Sequence, residues 1–229
     1  MRALQWIVCI GLLPAVAYAK DTSYEWVLEK YDSKEESVIV SSAVGQIDGN
    51  QFLAVITRQD LGELLTVFRR DSARYVGIAQ TKYMNGFPSY VSTVAVANNS
   101  LFLETGNCHH GCYDDRYQFK NIDQLFRLVG VESQRDTLSC YYYGTNAPPQ
   151  CEKYEVRSGN SYNLLASTSI CWLETIQVSK KVPKSYQPRG EQRKMIFQRI
   201  TLPSLDGFDL DNISLPKSCN IDFKKRLHK

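Results

Sequence analysis

The chain has 229 residues, 43% hydrophobic and 22% charged, with a formal net charge of +3. That length suffices for one sizeable core. The nearly balanced charge implies no nucleic-acid partner and no anionic membrane surface, because both are held by strongly basic patches.

Residues 1–19 read as a secretory signal. Arg2 gives the positive start, Trp6 to Leu13 the apolar centre, and Ala17-Tyr18-Ala19 a small-x-small cleavage site before Lys20. The apolar run is too short to span a bilayer, and no later run approaches that length. The expectation is a soluble periplasmic or secreted protein, cleaved after Ala19, with one β-rich domain over 20–229. Export sets the redox context. Cys9 falls in the leader, leaving Cys108, Cys112, Cys140, Cys151, Cys171 and Cys219. An even count in an exported chain reads as up to three disulfides, and six cysteines allow fifteen pairings. Proximity favours Cys108 with Cys112 and Cys140 with Cys151, which leaves Cys171 with Cys219.

In chain order, Tyr24 to Tyr31 is a short mixed run and Asp32 to Glu36 a polar break. Val38 to Val44 is strand-like, and Asp48-Gly49-Asn50 is turn chemistry. Phe52 to Thr57 is continuously apolar, as a central strand requires. Glu63 to Arg70 and Arg74 to Gln80 pair around Asp71-Ser72-Ala73, and Asn85 to Pro88 breaks the chain. Ser92 to Ala97 and Leu101 to Thr105 flank Asn98-Asn99-Ser100, a hairpin signal.

The central stretch runs from Leu101 to Glu132. Tyr113, Asp115, Tyr117 and Phe119 alternate with Asp114, Arg116, Gln118 and Lys120, the period of two of a half-buried strand. Asn121 to Gln124 reads as a four-residue connection to a strand buried on both faces, with Phe126 and Leu128 opposite Leu125, Val129 and Val131. Gly130 suggests a bulge or a close crossing.

Leu138 to Tyr143 is another strand, followed by a Pro148-Pro149 loop. Cys151 to Arg157 and Ser161 to Ala166 look like a pair turning at Ser158-Gly159-Asn160. Ile170 to Val178 and Met195 to Thr201 are strand-like, Lys180 to Lys194 is a basic exposed loop, and the tail from Asp206 is irregular. No long segment carries a helical stripe. The prediction is all-β, with many short antiparallel strands in hairpins, closed like a propeller or stacked as a curled sandwich with disulfide-tied loops.

The runs Tyr117-Gln118-Phe119, Phe126-Arg127-Leu128-Val129-Gly130 and Ser161-Tyr162-Asn163-Leu164-Leu165 resemble a group of uncharacterised exported β-rich proteins of Gram-negative bacteria. The resemblance covers about the middle third of the chain. It implies a periplasmic β-rich fold and brings no catalytic residue. Val38 to Phe68 is also similar to one blade of the FG-GAP propeller repeats, which hold calcium with several Asp and Asn residues; here Asp48 and Asn50 are present.

Chemistry-bearing residues are few. Cys108-His109-His110-Gly111-Cys112 offers four metal ligands in five residues. Ligands so close in sequence do not easily surround a metal tetrahedrally, so a disulfide-closed loop with two exposed imidazoles is the plainer reading. Asp114 and Asp115 point to opposite faces of a strand and share no site. The only other histidine is His228, and Gly-x-Ser-x-Gly, phosphate-loop and His-Glu-x-x-His motifs are lacking. Tyr141, Tyr142, Tyr143 and Tyr154, near a proline loop, suit a recognition surface, although strand packing uses tyrosine too. Lys180, Lys181, Lys184, Arg189, Arg193 and Lys194 form a basic face. These features point to a non-catalytic exported binding protein, such as an inhibitor or immunity-type protein, with a protein partner in the cell envelope and no cofactor. The alternative is a periplasmic hydrolase or metal-dependent enzyme using His109 and His110.

Overall fold

The computed structural model describes the backbone of residues 38–84, 91–108, 112–141, 150–177, 191–210 and 212–216, and their side chains except at 91, 107–108, 112, 136–141, 150–156, 175–177 and 191. Tight turns set the topology. Asp48-Gly49, Asn98-Asn99 and Asp123-Gln124 all have positive φ at both positions, the signature of two-residue type I′ hairpins. Such turns join strands whose twist they match, so each strand folds back on its predecessor.

The strands are β1 (Val38–Ile47), β2 (Asn50–Gln59), β3 (Gly62–Asp71), β4 (Arg74–Gln80), β5 (Val91–Ala97), β6 (Ser100–Cys108), β7 (Cys112–Ile122), β8 (Leu125–Tyr141), β9 (Gln150–Asn163), β10 (Thr168–Gln177) and β11 (Glu191–Ile196). Spatial order follows chain order: β1 to β4 form one antiparallel sheet and β5 to β11 a second. The all-β expectation holds. Among the described residues both sheets stay open, closing neither a barrel nor a propeller ring. No described helix is long and apolar enough to cross a membrane.

One core lies between the sheets. Phe52, Ala54, Ile56, Leu65 and Val67 from the smaller sheet meet Leu101, Leu103, Tyr117, Phe119, Phe126, Leu128 and Val131 from the larger. Phe52 and Phe126 touch edge to face with centroids 5.3 Å apart. At one margin β1 crosses β5. The Val94 amide donates to Ser41 Oγ at 3.1 Å, and a Cβ on Gly45 would stand 2.5 Å from Val96 Cγ1, so only glycine permits the approach. Beside it, Asn99 Nδ2 donates to Asp48 Oδ1 and the Asp48 amide donates to Asn99 Oδ1, both at 2.5 Å, linking one hairpin turn from each sheet.

The described part of the tail, up to residue 216, is irregular as expected and is nevertheless part of the core. Leu205 and Phe208 are 0% and 4% exposed, and Phe208 packs edge-on against Tyr117 and Phe119. Its backbone joins the sheets: Leu128 N donates to Pro203 O, Leu205 N to Phe126 O, and Gly207 N to Gln80 O.

Several boundaries differ from the sequence reading. The β7–β8 turn has two residues, not four, because Asn121 and Ile122 pair with Phe126 and Leu125. A bulge places Gln118 opposite Gly130 and Phe119 opposite Leu128, leaving Val129 as the extra residue. The bulge advances the phase, so Phe126, Leu128 and Val131 share the inner face, while Leu125 is exposed. Leu125 to Tyr141 is one strand rather than two: the polar run Ser133 to Asp136 pairs on both sides, which satisfies its backbone whatever its side chains. Ser158-Gly159-Asn160 is no turn but the middle of β9; the reversal falls at 164–167. Among the described residues the last strand is Glu191–Ile196, so Arg193 and Lys194 belong to a strand rather than a basic loop.

Candidate functional site

Residues directly opposite across a β-ladder share a face, and the register defines rows on the side of the larger sheet turned away from the core. Thr93, Glu104, Arg116, Glu132 and Ser161 form one row. Gly106, Asp114, Gln134, Gly159 and Trp172 form the next. On the other flank come Phe102, Gln118, Gly130 and Asn163.

Three glycines among these positions deepen the surface. A Cβ on Gly106 would meet Asp114 Oδ1 at 2.7 Å; one on Gly130 would meet Gln118 Oε1 at 3.2 Å; one on Gly159 would meet the Trp172 ring at 2.5 Å and Ser133 O at 2.7 Å. The first two rows line a cleft of about 610 Å³ with Trp172 as one wall. A second hollow of about 340 Å³ adjoins it and shares Arg116, Glu132 and Ser161. The larger cleft falls within the size range of ligand sites.

Arg116 organises this face. Its Nε lies 3.1 Å from Glu104 Oε1, its Nη1 4.0 Å from Glu132 Oε2, and its guanidinium 4.2 Å above the Phe102 ring. Thr93 Oγ1 donates to Glu104 at 3.4 Å. The Arg116, Glu104 and Glu132 side chains are about half exposed or more, so their pairing orders the surface more than it stabilises the fold. Stacked Arg116 also explains why Phe102, on the outer face, is only 8% exposed. Among the described residues one carboxyl is clearly shifted, and it lies elsewhere. Asp209 is held below its usual value by a hydrogen bond from Asn212 and by Lys82, against an opposing desolvation.

The described strand ends bear on several of the sequence-nominated residues. Antiparallel order sends the β6–β7, β8–β9 and β10–β11 connections from one edge of it. Cys108 and Cys112 are Cα partners at the last rung of β6–β7. The pair Tyr141 and Gln150 closes the β8–β9 ladder, with Cys140 and Cys151 next to it. Cys171 is 3% exposed and disulfide-bonded. The side chains of Cys108, Cys112, Cys140, Cys151, Tyr141 and Tyr154 lie outside the described residues, as do Cys9, His109, His110, Tyr142, Tyr143 and Cys219 altogether. Among the described residues no group of three or more His, Cys, Asp or Glu is placed to hold a metal ion. Asp48 is instead taken up by the turn-to-turn contact with Asn99, and Asn50 Nδ2 donates to Asp48 O at 3.2 Å.

The cleft residues were missed in the sequence. The available signal was the polar alternation Asp114, Arg116, Gln118 on β7; the partners on five other strands depend on a register that no local pattern reveals. The Tyr-x-Phe, Phe-x-Leu-Val-Gly and Ser-x-Asn-Leu-Leu runs lie on adjacent strands. They supply core residues Tyr117, Phe119, Phe126, Leu128 and Leu164 and the outer row Gln118, Gly130, Asn163. In this molecule they carry packing and a bulge.

These features define an all-antiparallel two-sheet protein with a polar cleft on the free face of its larger sheet. No protein-family model matches the chain, and no curated protein or solved structure matches it either.

Proposed function

We propose that this is a non-catalytic exported binding protein that recognises a protein partner in the cell envelope, in the manner of an inhibitor or immunity-type protein, through loops at one end of its larger sheet. The observation that carries this reading is the strand order. It sends the histidine-bearing connection, the Tyr- and Pro-rich connection and the basic connection off the same sheet edge. The β8–β9 ladder continues five residues beyond the Cys112–Asp136 rung, roughly 16 Å at the rise of an extended chain. β10 stays paired to β9 along this extension as far as Tyr154, and such a three-stranded arm on a stiff sheet is a suitable mount for recognition loops. Residues 1–19 and the resemblance to exported β-rich proteins support a periplasmic or secreted location.

The same rungs support the disulfide assignment. Opposed Cα atoms in an antiparallel ladder are about 4.5–5.5 Å apart, within disulfide reach. That favours Cys108 with Cys112, proximity beside the Tyr141–Gln150 rung favours Cys140 with Cys151, and Cys171 is left with Cys219. Such bridges would tie the loops that present the binding surface.

Affinity capture from a periplasmic extract tests the function. The wild-type protein should retain a specific protein, and alanine at Tyr141, Tyr142 and Tyr143 together should release it. An extract that yields nothing above background, or capture indifferent to the triple change, contradicts the reading. Non-reducing peptide mapping should find the three stated bridges.

A further inference from the structure

We infer that the cleft on the free face of the larger sheet is a saccharide site, taking a short neutral oligosaccharide, separate from the loops assigned to a protein partner. Three features of its walls converge on that ligand.

The first is an apolar platform. Trp172 rests on Gly159, is only half-buried, and lines the cleft, so part of its indole faces the cavity. A flat aromatic ring is the complement of the C–H face of a pyranose.

The second is the balance of hydrogen-bonding groups. Asp114 and Glu132 accept, Ser161 accepts and donates, and the amide of Gln134 does both. Sugar hydroxyls also donate and accept, and bonds to a carboxylate are strengthened by its charge.

The third is charge. Three outer-face carboxylates (Glu104, Asp114, Glu132) line the cleft against the single guanidinium of Arg116. That excess repels acidic polymers. A basic peptide would compete with Arg116 for Glu104 and Glu132, whereas hydroxyls add to lone pairs that Arg116 leaves available.

Isothermal titration with chitotetraose, cellotetraose and maltotetraose tests the assignment, with tetragalacturonate as the acidic counterpart and tetralysine as the cationic one. At least one neutral tetrasaccharide should bind saturably and tetragalacturonate should not. Trp172→Ala should weaken binding about ten-fold, the equivalent of a lost aromatic contact. Glu132→Gln, at an exposed position, should weaken it a few-fold and carries the test should the tryptophan variant misfold. The assignment is overturned if no neutral tetrasaccharide binds at millimolar concentration, if only tetralysine binds, if tetragalacturonate binds as well as the neutral sugars, or if binding survives these changes in protein with a native circular dichroism spectrum. Protein capture by the loops is read separately, so either result can fail without the other.

Discussion

The two sheets are built by the same turns yet use their faces differently. In the smaller sheet the central strand β2 is buried on both sides. Phe52, Ala54 and Ile56 face the common core, while Leu53 and Val55 join Phe68 and Tyr75 in a second apolar cluster. In the larger sheet β7 is buried on one side only, with Tyr117 and Phe119 in the core and Asp114 and Arg116 exposed. A strand packed on both faces has no surface free for recognition. A strand packed on one face carries polar side chains held in register by a rigid ladder, which is what preorganised binding needs.

The sharpest test of that contrast compares two double variants by urea denaturation. Leu53→Ala with Val55→Ala, both at most 1% exposed, should cost about 4 kcal/mol or more. Glu104→Ala with Glu132→Ala should cost less than about 1 kcal/mol. Similar losses in the two would erase the distinction between scaffold and surface. Gly159→Ala comes next, at about 1–3 kcal/mol, because its Cβ would meet a backbone carbonyl that cannot swing aside. A neutral Gly159→Ala would mean that Trp172 does not sit where the cleft needs it.

Asn99→Gly should cost about 1 kcal/mol. It keeps a backbone of φ +56° accessible and removes only the side chain that joins the turns of the two sheets. The smallest effect concerns the tail. Because the folded Asp209 carboxyl sits below its usual value, its contribution is present above the unfolded value and is lost as pH falls through the folded one. An NMR titration should find Asp209 below 3.8, moving upward in Asn212→Ala. An unmoved midpoint would remove Asn212 as the principal cause.

Much of the fold was legible in the sequence, for identifiable reasons. The continuous apolar run from Phe52 to Thr57 marked a strand covered on both faces, and the alternation from Tyr113 to Lys120 marked one covered on a single face. Asp48-Gly49 and Asn98-Asn99 announced their turns through residues that tolerate positive φ. The misreadings arose where a residue answers to a distant neighbour. Gly159 looked like part of a turn, but it is small because Trp172 lies over it. Asp123-Gln124 hid a two-residue turn because glutamine is not a usual residue at φ +63°. Gly130 did announce the bulge, but not that Val129 is the extra residue and Val131 returns to the core, and Leu205 and Phe208 sit in a segment with no period at all. The cleft was illegible for the same reason, since its residues come from six strands.

Amide hydrogen exchange, with and without the protein or sugar that the chain captures, tests most directly whether the larger sheet is the recognition surface. New protection is predicted along β6 to β9, around Glu104 to Arg116, Glu132 to Gln134 and Gly159 to Ser161, and in the connections at that end, with β2 and β3 unchanged. Protection gained on β1 to β4 alone, with β6 to β9 exchanging as before, would contradict the account.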